Sequence, residues 1–508
     1  MYLSRFWILE RSRLRGACGA GPVILPRSTS RTVQQITCMQ ADRDVYDVLC
    51  FVMLGKEENE LLTRVGAGTP MGELVRQYWI PALLTRELAE PDSDPMRVRL
   101  LGEDLIAFRD SRGQLGVLGN HCPHRGASLF FGRNEESGLR CVYHGWKFDV
   151  TGRCVDMPSE PAESDFKSRV NATAYPVAER NGVGWVYMGP LATPPPLPEL
   201  EWNMVPADQV YVSLRVADSN WVQTLEGEID SSHSGFLHTI LDEEENYTNA
   251  QNVARAQPSG DRVLGMYYKM KDKHPRFEVL DTDYGVLIGA RRNAEVDSFY
   301  WRMTQFLLPF HTIIPPYGQD PSFSGHAWIP IDDHHTLALC FTYHPTRPLS
   351  REQLDGLMYG GGQLGHQGIH PTVDALLPPT PEAWSQYRGI YHQGNDYQID
   401  YEAQRKVRFS GLPGVWPQDS ACQESMGSIY DRSSEHLGTS DTGIIRARRS
   451  LMTAAAALHE KGIVPASVDH PEAYRIRSAS VVLPRTANWV EASREFRAAQ
   501  SGVNFAAT

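Results

Sequence analysis

Between Asn120 and Phe148 the chain reads NHCPHRGASLFFGRNEESGLRCVYHGWKF, and the spacing of its cysteines and histidines limits what this region can be. Cys122 and His124 stand as C-x-H; after sixteen intervening residues, Cys141 and His144 stand as C-x-x-H. Two thiolates and two imidazoles, one of each from each loop, can hold a [2Fe–2S] cluster with Cys on one iron and His on the other. The same four residues could in principle form a tetrahedral zinc site. Zinc loops more often pair their cysteines as C-x-x-C, whereas here each loop supplies one Cys and one His. The small residues after each pair, in Arg125-Gly126-Ala127 and Gly145-Trp146-Lys147, are expected to let backbone N–H groups approach the sulfurs. His121 falls outside the C-x-H register and has no assigned role.

The cysteines as a whole favour a metal-site reading. All eight are scattered, at positions 18, 38, 50, 122, 141, 154, 340 and 422 of 508, with no dense framework. That points to a reducing, cytoplasmic setting. The net charge of −12 argues against a general nucleic-acid binder. No apolar run approaches the roughly 18 residues of a membrane span.

The first 52 residues differ from the rest. Six arginines (Arg5, Arg11, Arg13, Arg15, Arg27, Arg31) precede Met39 against one acid, Glu10. Such composition suits an organelle transit peptide or an over-extended start with translation beginning near Met53; the second is preferred, and the segment is set apart from the fold. Glu57 to Leu62 reads as a short helix, and Thr69-Pro70 opens another, with Thr69 as N-cap and Pro70 at the first helical position. From Met96 the apolar period drops towards two, with a turn at Asp110-Ser-Arg-Gly, which predicts a hairpin leading into the first Cys/His loop. PLATPPPLP (190–198) reads as a semi-rigid linker and a domain boundary. Beyond it, Asp218 to His238 reads as helical. Val263 to Phe310 reads as strands with turns at Asp283-Tyr-Gly and Arg292-Asn, and Ser324 to Tyr343 as strand–turn–strand. The glycine-rich stretch from Tyr359 and the prolines at 378–381 suggest a long loop, and Thr442 to Lys461 a long helix.

The second half holds a second candidate metal site. NWVQTLEGEIDSSHSGFLH (220–238) gathers Asp230, His233 and His238. On a helix Asp230 and His233 would share a face. A regular helix would splay His233 and His238 by about 140°, so Gly235 is read as the place where the turn distorts. Two histidines and a carboxylate with open positions suit an oxygen-activating Fe(II). Spacing alone does not choose the carboxylate among Asp396, Asp400, Asp419, Glu424 and Glu435, and His436 beside Glu435 is a decoy for the histidine role.

The string CPHRGASL…CVYHGWKFD resembles the Rieske domain of ring-hydroxylating oxygenases, and the likeness extends from Met53 to about Leu451, nearest the phthalate dioxygenase-like oxygenase components. The resemblance implies an α+β chain: an all-β Rieske [2Fe–2S] domain (53–190, with preceding helices), then a helix-grip catalytic domain with an antiparallel sheet (191–485) and a tail (486–508). It implies cluster ligands Cys122, His124, Cys141 and His144, and a mononuclear Fe(II) on His233, His238 and Asp419. By the same likeness, Asp230 becomes the catalytic relay carboxylate bridging a cluster His to an iron His, usually across a subunit boundary. Arg302 sits where phthalate-type relatives carry a pocket arginine, with Lys269 and Arg276 as alternatives that read better as solvated strand charges, and with Ser231 and Ser232 as further pocket residues. A second arginine expected before Lys271-Asp-Lys-His-Pro-Arg276 is missing, which puts phthalate itself in doubt. The implied partners are O₂, an aromatic substrate and a separate NADH-dependent flavin/iron–sulfur reductase, since no G-x-G-x-x-G opens a helix here. A homotrimer or stacked trimers is implied too. The alternatives are a monooxygenase or O-demethylase on an aromatic acid or ether, and a Rieske electron carrier with an inert second domain.

Overall fold

Thr69 begins the second helix as its sequence demands. Its hydroxyl accepts the N–H of Gly72, and Pro70 heads the helix Pro70–Arg76, where a missing N–H costs nothing. The computed structural model describes residues 53–161, 163–241, 260–317, 320–360 and 368–500. The arginine-rich extension and most of the glycine-rich stretch after Tyr359 lie outside them.

Three strands, Met96–Leu100, Glu103–Arg109 and Leu115–Gly119, form an antiparallel meander. Its second turn is fixed by Asp110, fully buried, whose carboxylate accepts the N–H groups of Arg112 and Gln114 while Gly113 takes a left-handed φ of 79°. Short strands at Arg133–Glu135, Gly138–Arg140, Lys147–Phe148 and Cys154–Asp156 make a second small sheet that carries the loop of Cys141. An apolar cluster of Ile106, Phe108, Leu129, Leu139, Trp146 and Phe148 packs together with Cys122, Cys141 and Cys154.

The larger sheet is eight-stranded and antiparallel. Its path runs Val210–Ala217, Thr336–Tyr343, Phe323–Pro330, His311–Ile314, Ser298–Leu307, Gly285–Asn293 and Arg276–Thr282, with Ala479–Pro484 paired beside Ser298–Leu307. The long helix Thr442–Lys461 lies against Arg276–Thr282 and Gly285–Asn293, and stops at Gly462 in the left-handed region. One hydrophobic core runs from Ile80 and Trp185 through Trp221 and Phe306 to Leu451. The proline stretch carries no regular structure and is fastened: Trp79 Nε1 donates to the Pro195 carbonyl (2.7 Å) and Asn203 Nδ2 to that of Pro198 (3.0 Å).

Four expectations need correction. The helix expected over Asp218–His238 spans only Trp221–Ile229. It ends because the Asp230 carboxylate accepts the N–H groups of Ser232 (2.6 Å) and His233 (3.2 Å), a local bond that competes with the helical ladder. Residues Gly260–Lys271 are helix rather than strand; apolar residues at 263, 264, 267 and 268 carry the helical period that an aromatic-rich reading missed. Arg292-Asn is the end of a strand, with the turn following it. The region after 485 is more than a tail, since Trp489 is buried and stacks on Trp301 at 4.9 Å.

Below the site-bearing helix, charge burial is balanced. Arg432 and Arg448 both pair with Glu226, and Arg448 also with Glu435, tying Trp221–Ile229 to the long helix. A different buried group sets an acid limit. His311 is 3% exposed, and burial alone pushes its pKa down to about 3. The unfolded ring takes up a proton near 6.5, so between pH 6.5 and 3 the unfolded chain binds more protons and stability falls as pH drops. His311→Leu should flatten this acid limb in urea titrations across that window. Equal slopes in the two proteins would show that His311 does not contribute.

Candidate active site and cluster-binding loops

The two Cys/His loops are built alike. In each, the cysteine N–H donates to the carbonyl five residues on, Ala127 or Trp146 (2.8 Å each), and a glycine four residues on, Gly126 or Gly145, returns its N–H to the cysteine carbonyl (2.9 and 3.0 Å). Both glycines sit at positive φ, 74° and 79°, and a Cβ on Gly145 would lie 2.7 Å from Pro158. The glycine N–H groups themselves close the turns, and the backbone N–H that reaches the Cys122 thiol is that of His124. Arg140 braces the second loop by donating to the Gly145 carbonyl and to Asp156 (2.7 Å each).

Cys122 and Cys141 are buried and not disulfide-bonded, and burial, with Cys141 adding, pushes the Cys122 thiol up to about 11. The rings of His124 and His144 meet edge-on at 4.4 Å, His124 stacks on Trp146 at 4.3 Å, and the buried Nδ1 of His124 has no hydrogen-bond partner. Orphaned imidazole nitrogen and buried thiols are what a metal cluster would satisfy. A zinc ion would need its donors within about 4 Å of one another. Among the described residues, no three of these four donors come within 4.8 Å of each other. The set therefore fits a cluster with two metals better than a single tetrahedral ion. His121 is exposed and bonds only to the Gly126 carbonyl.

The second site draws on two elements. Beyond Ile229 the Asp230 turn leads into a short 3₁₀ segment, His233–Gly235, and His238 follows. Asp419 projects from the helix Val415–Ser425, not from a loop end. His233 Nε2 and His238 Nε2 lie 3.1 Å apart, and Asp419 Oδ1 lies 3.6 and 3.3 Å from them. Among the described residues this is the one group of three or more His, Cys, Asp or Glu with all ligand atoms within 4.8 Å. Burial works to raise the Asp419 carboxyl, but His238, then His233 and Arg215, hold it below its ordinary value. His238 Nδ1 meets Gln418 Oε1 at 2.6 Å, and Gln418 Nε2 donates to the Leu412 carbonyl, so the amide is oriented and Nε2 is left to face the group. Gly235 keeps an ordinary φ, so it is the Asp230 cap rather than glycine freedom that breaks the helix and brings both rings round.

The other carboxylates are occupied elsewhere. Glu435 pairs with Arg448; Glu424 accepts from Tyr397 and from the Asp218 N–H; Asp400 caps the helix Tyr401–Lys406; Asp396 sits in a left-handed kink; and His436 is exposed. Asp230 lies 3.6 Å from His233 Nδ1 and, among the described residues, touches neither His124 nor His144 of its own chain.

Comparison with known proteins agrees with this geometry. The family described as Rieske [2Fe-2S] domain matches residues 78–176, and that described as LigXa C-terminal domain like matches 186–358 and 380–506. The 3-chlorobenzoate-3,4-dioxygenase oxygenase subunit of Comamonas testosteroni is 40% identical over 435 residues, 85% of this chain and 96% of that protein. The chain belongs to the Rieske ring-hydroxylating oxygenases. The phthalate 4,5-dioxygenase oxygenase subunit of Pseudomonas putida is 37% identical over 442 residues (86% and 94%), and the tert-butanol monooxygenase / tert-amyl alcohol desaturase oxygenase subunit of Aquincola tertiaricarbonis 32% over 441 (84% and 81%). No helix among the described residues of this oxygenase is long and apolar enough to cross a membrane.

Close to the histidine–aspartate group lie Arg215, within electrostatic reach of Asp419, and Lys269, within reach of Asp419 and of Arg302 and Arg292. Arg302 is 7% exposed, donates to the Pro315 carbonyl (3.0 Å), and lies over the Tyr317 ring at 4.2 Å. Lys269, read from sequence as a solvated strand charge, is instead half-buried on a helix. Burial, with Arg302 and Arg292 adding, pushes its pKa down to about 7, and it lies within electrostatic reach of Asp419 and His233. Arg292, which sequence reasoning missed, is 1% exposed. Arg276 is exposed, as expected. Ser231 is held by Arg292 through both its carbonyl and its hydroxyl. Gln418 was also missed; its one sequence signal is adjacency to Asp419. Replacing it by Leu should lower iron affinity or turnover by about 10–100-fold, the usual effect of losing a partner behind a ligand histidine, with cluster absorbance unchanged. Unaltered iron content and turnover in Gln418→Leu would show that the amide does not orient His238.

Proposed function

We propose that this oxygenase component inserts oxygen from O₂ into an aromatic carboxylate, within a multicomponent system fed from NADH through a separate reductase. In this reading Cys122, His124, Cys141 and His144 hold the [2Fe–2S] cluster, and His233, His238 and Asp419 hold Fe(II). Bound there, the cluster would supply one-electron transfer and the iron would supply oxygen activation. The observation that carries the substrate class is the buried Arg302, with Lys269 close by, neither paired with a carboxylate among the described residues. Buried cations need an anion, and a substrate carboxylate is one that could accept a charge-assisted hydrogen bond from Arg302. The names of two relatives, acting on 3-chlorobenzoate and phthalate, support the same class.

The residues divide the remaining work. Gln418 orients His238, and Asp230 caps the turn of His233 while its Oδ2 stays near the Nδ1 of that ring. A carboxylate placed there can also accept the ring N–H of a cluster histidine from a neighbouring subunit, which is the relay we assign to Asp230. Apolar side chains exposed beside both sites support such a contact and a trimer or stack of trimers: Phe131, Val142 and Tyr143 near the cluster loops, Phe236, Val407 and Phe409 near the iron site. The two lobes are assigned as 53–190 for electron receipt and 191 onward for chemistry, the residues after 485 packing on the second lobe through Trp489.

The test is product analysis with labelled oxygen. Protein holding about three irons per chain, given reductase, NADH and a panel of aromatic acids, should yield product carrying both atoms of ¹⁸O₂. One labelled atom would favour the monooxygenase or O-demethylase reading, towards which the monooxygenase relative also points. Arg302→Met should weaken binding of the acid by about 10–100-fold, the worth of one charged hydrogen bond. Turnover of neutral aromatics with no acid accepted would sink the carboxylate assignment. Asp230→Asn should slow single-turnover electron transfer from cluster to iron by about tenfold or more while both metals stay bound; an unchanged rate would remove Asp230 from the relay.

A further inference from the structure

We propose that Arg292 is a positioning residue that holds the Asp230–His233 turn in the form presenting His233 to His238 and Asp419; this rests on the reading of that trio as an iron site. Arg292 is the penultimate residue of the strand Gly285–Asn293 and is almost wholly buried. Its guanidinium is committed to neutral oxygens. Nη2 donates to the Ser231 carbonyl (2.8 Å), Nη1 and Nη2 both reach Ser231 Oγ (3.3 Å), and Nε donates to the Asp272 carbonyl (3.1 Å). The Asp272 carboxylate does not bond to it; it accepts from the N–H and Nδ2 of Asn293 (2.8 Å each) and from the His274 N–H (3.1 Å).

A buried cation on neutral acceptors is a costly fastening; two buried arginines of the same lobe, Arg432 and Arg448, are instead paired with glutamates. What Arg292 grips explains its presence. Ser231 follows Asp230 and stands two residues before His233. From one side the Asp230 carboxylate takes the N–H groups of Ser232 and His233; from the other the Arg292 fork takes the carbonyl and hydroxyl of the residue between. The peptide that sets the direction of the His233 ring is therefore held at both of its polar edges. The same fork reaches the Asp272 carbonyl beyond the helix Gly260–Lys271, joining that helix end, the pocket strand and the metal turn. A lysine could bond to one of these acceptors but lacks the planar fork that serves both. Arg292 differs here from Lys269, which makes no hydrogen bond among the described residues and is free to meet an incoming anion.

The experiment uses full-length protein loaded with cluster and iron, comparing wild type, Arg292→Gln, Arg292→Lys and Asp230→Asn. The readouts are iron retained at the mononuclear site against a competing chelator, magnetic circular dichroism of the ferrous site, the EPR spectrum of the cluster, and the Kd for an aromatic acid. Both Arg292 variants should lose about 10–100-fold in iron affinity and alter the ferrous-site spectrum, with the cluster spectrum and the Kd of iron-loaded protein unchanged. A raised Kd with iron affinity intact would overturn the proposal and make Arg292 a substrate anchor; no change in either would overturn it as well. Where Arg292→Gln fails to fold, shown by loss of the cluster spectrum, Arg292→Lys decides, because it keeps the charge and most of the volume. If wild-type protein holds no iron at the trio, it is the iron reading that fails, an outcome separate from any behaviour of Arg292.

Discussion

Two imidazole nitrogens 3.1 Å apart, with a carboxylate oxygen at 3.3 and 3.6 Å, are not a set of groups that would gather unaided. A hydrogen bond between the two rings satisfies one nitrogen and turns a lone pair to the carboxylate, so the arrangement has to be imposed from outside. Much of the larger lobe can be read as what imposes it. The helix Trp221–Ile229 is anchored below by the Arg432–Glu226–Arg448 network. Beside its end, Glu228 pairs with His326 on the sheet at 2.7 Å; burial opposes a charge on that histidine, but Glu228 and Cys340 hold its pKa up at about 10. The helix Val415–Ser425 brings Asp419 and Gln418 to the same place, with Trp416 beneath Arg215.

The cluster loops solve a simpler problem by simpler means. Each is a closed turn with two backbone bonds and one left-handed glycine, and everything needed to form it lies within six residues. That is why the C-x-H and C-x-x-H spacings could be read directly: ligand, turn and glycine are local in the chain. The His233–His238–Asp419 trio is assembled from segments about 180 residues apart, as the His238–Gln418 contact shows, and no spacing rule spans that distance. Asp419 was reached through resemblance alone, among five carboxylates that spacing could not rank.

The misreadings have the same origin. Lys269 looks on paper like a solvated charge, because an isolated Lys is mostly solvent-exposed, and Arg292 falls in a stretch that reads as a turn; only the folded chain shows Lys269 half-buried on a helix and Arg292 buried on a strand. Asp230 was read as part of a helix that its own carboxylate terminates, since the bond to the Ser232 and His233 N–H groups competes with propensity in a way the apolar period does not reveal. By contrast the Thr69–Pro70 cap, the Asp110 turn and the helix Thr442–Lys461 carry their determinants within a few residues, and all three formed as read.

The buried charges of this protein sort themselves by whether they are balanced. Arg432 and Arg448 meet Glu226 and Glu435, two cations against two anions, and the network is complete without any visitor. Arg292 meets only neutral oxygens but uses its fork on the turn beside Asp230. Arg302 donates to the Pro315 carbonyl, reaches the Tyr300 hydroxyl and lies over the Tyr317 ring, with no carboxylate among the described residues; Lys269 lies within electrostatic reach of it and of Asp419. Burial and the neighbouring Arg302 and Arg292 charges both disfavour a proton on Lys269, which is why its pKa falls to about 7. A fold that keeps such a pair within reach of Asp419 leaves its electrostatics open beside the proposed iron site. In the proposed reading the balancing charge arrives with the substrate, which is how such a pair would favour an acid over a neutral aromatic.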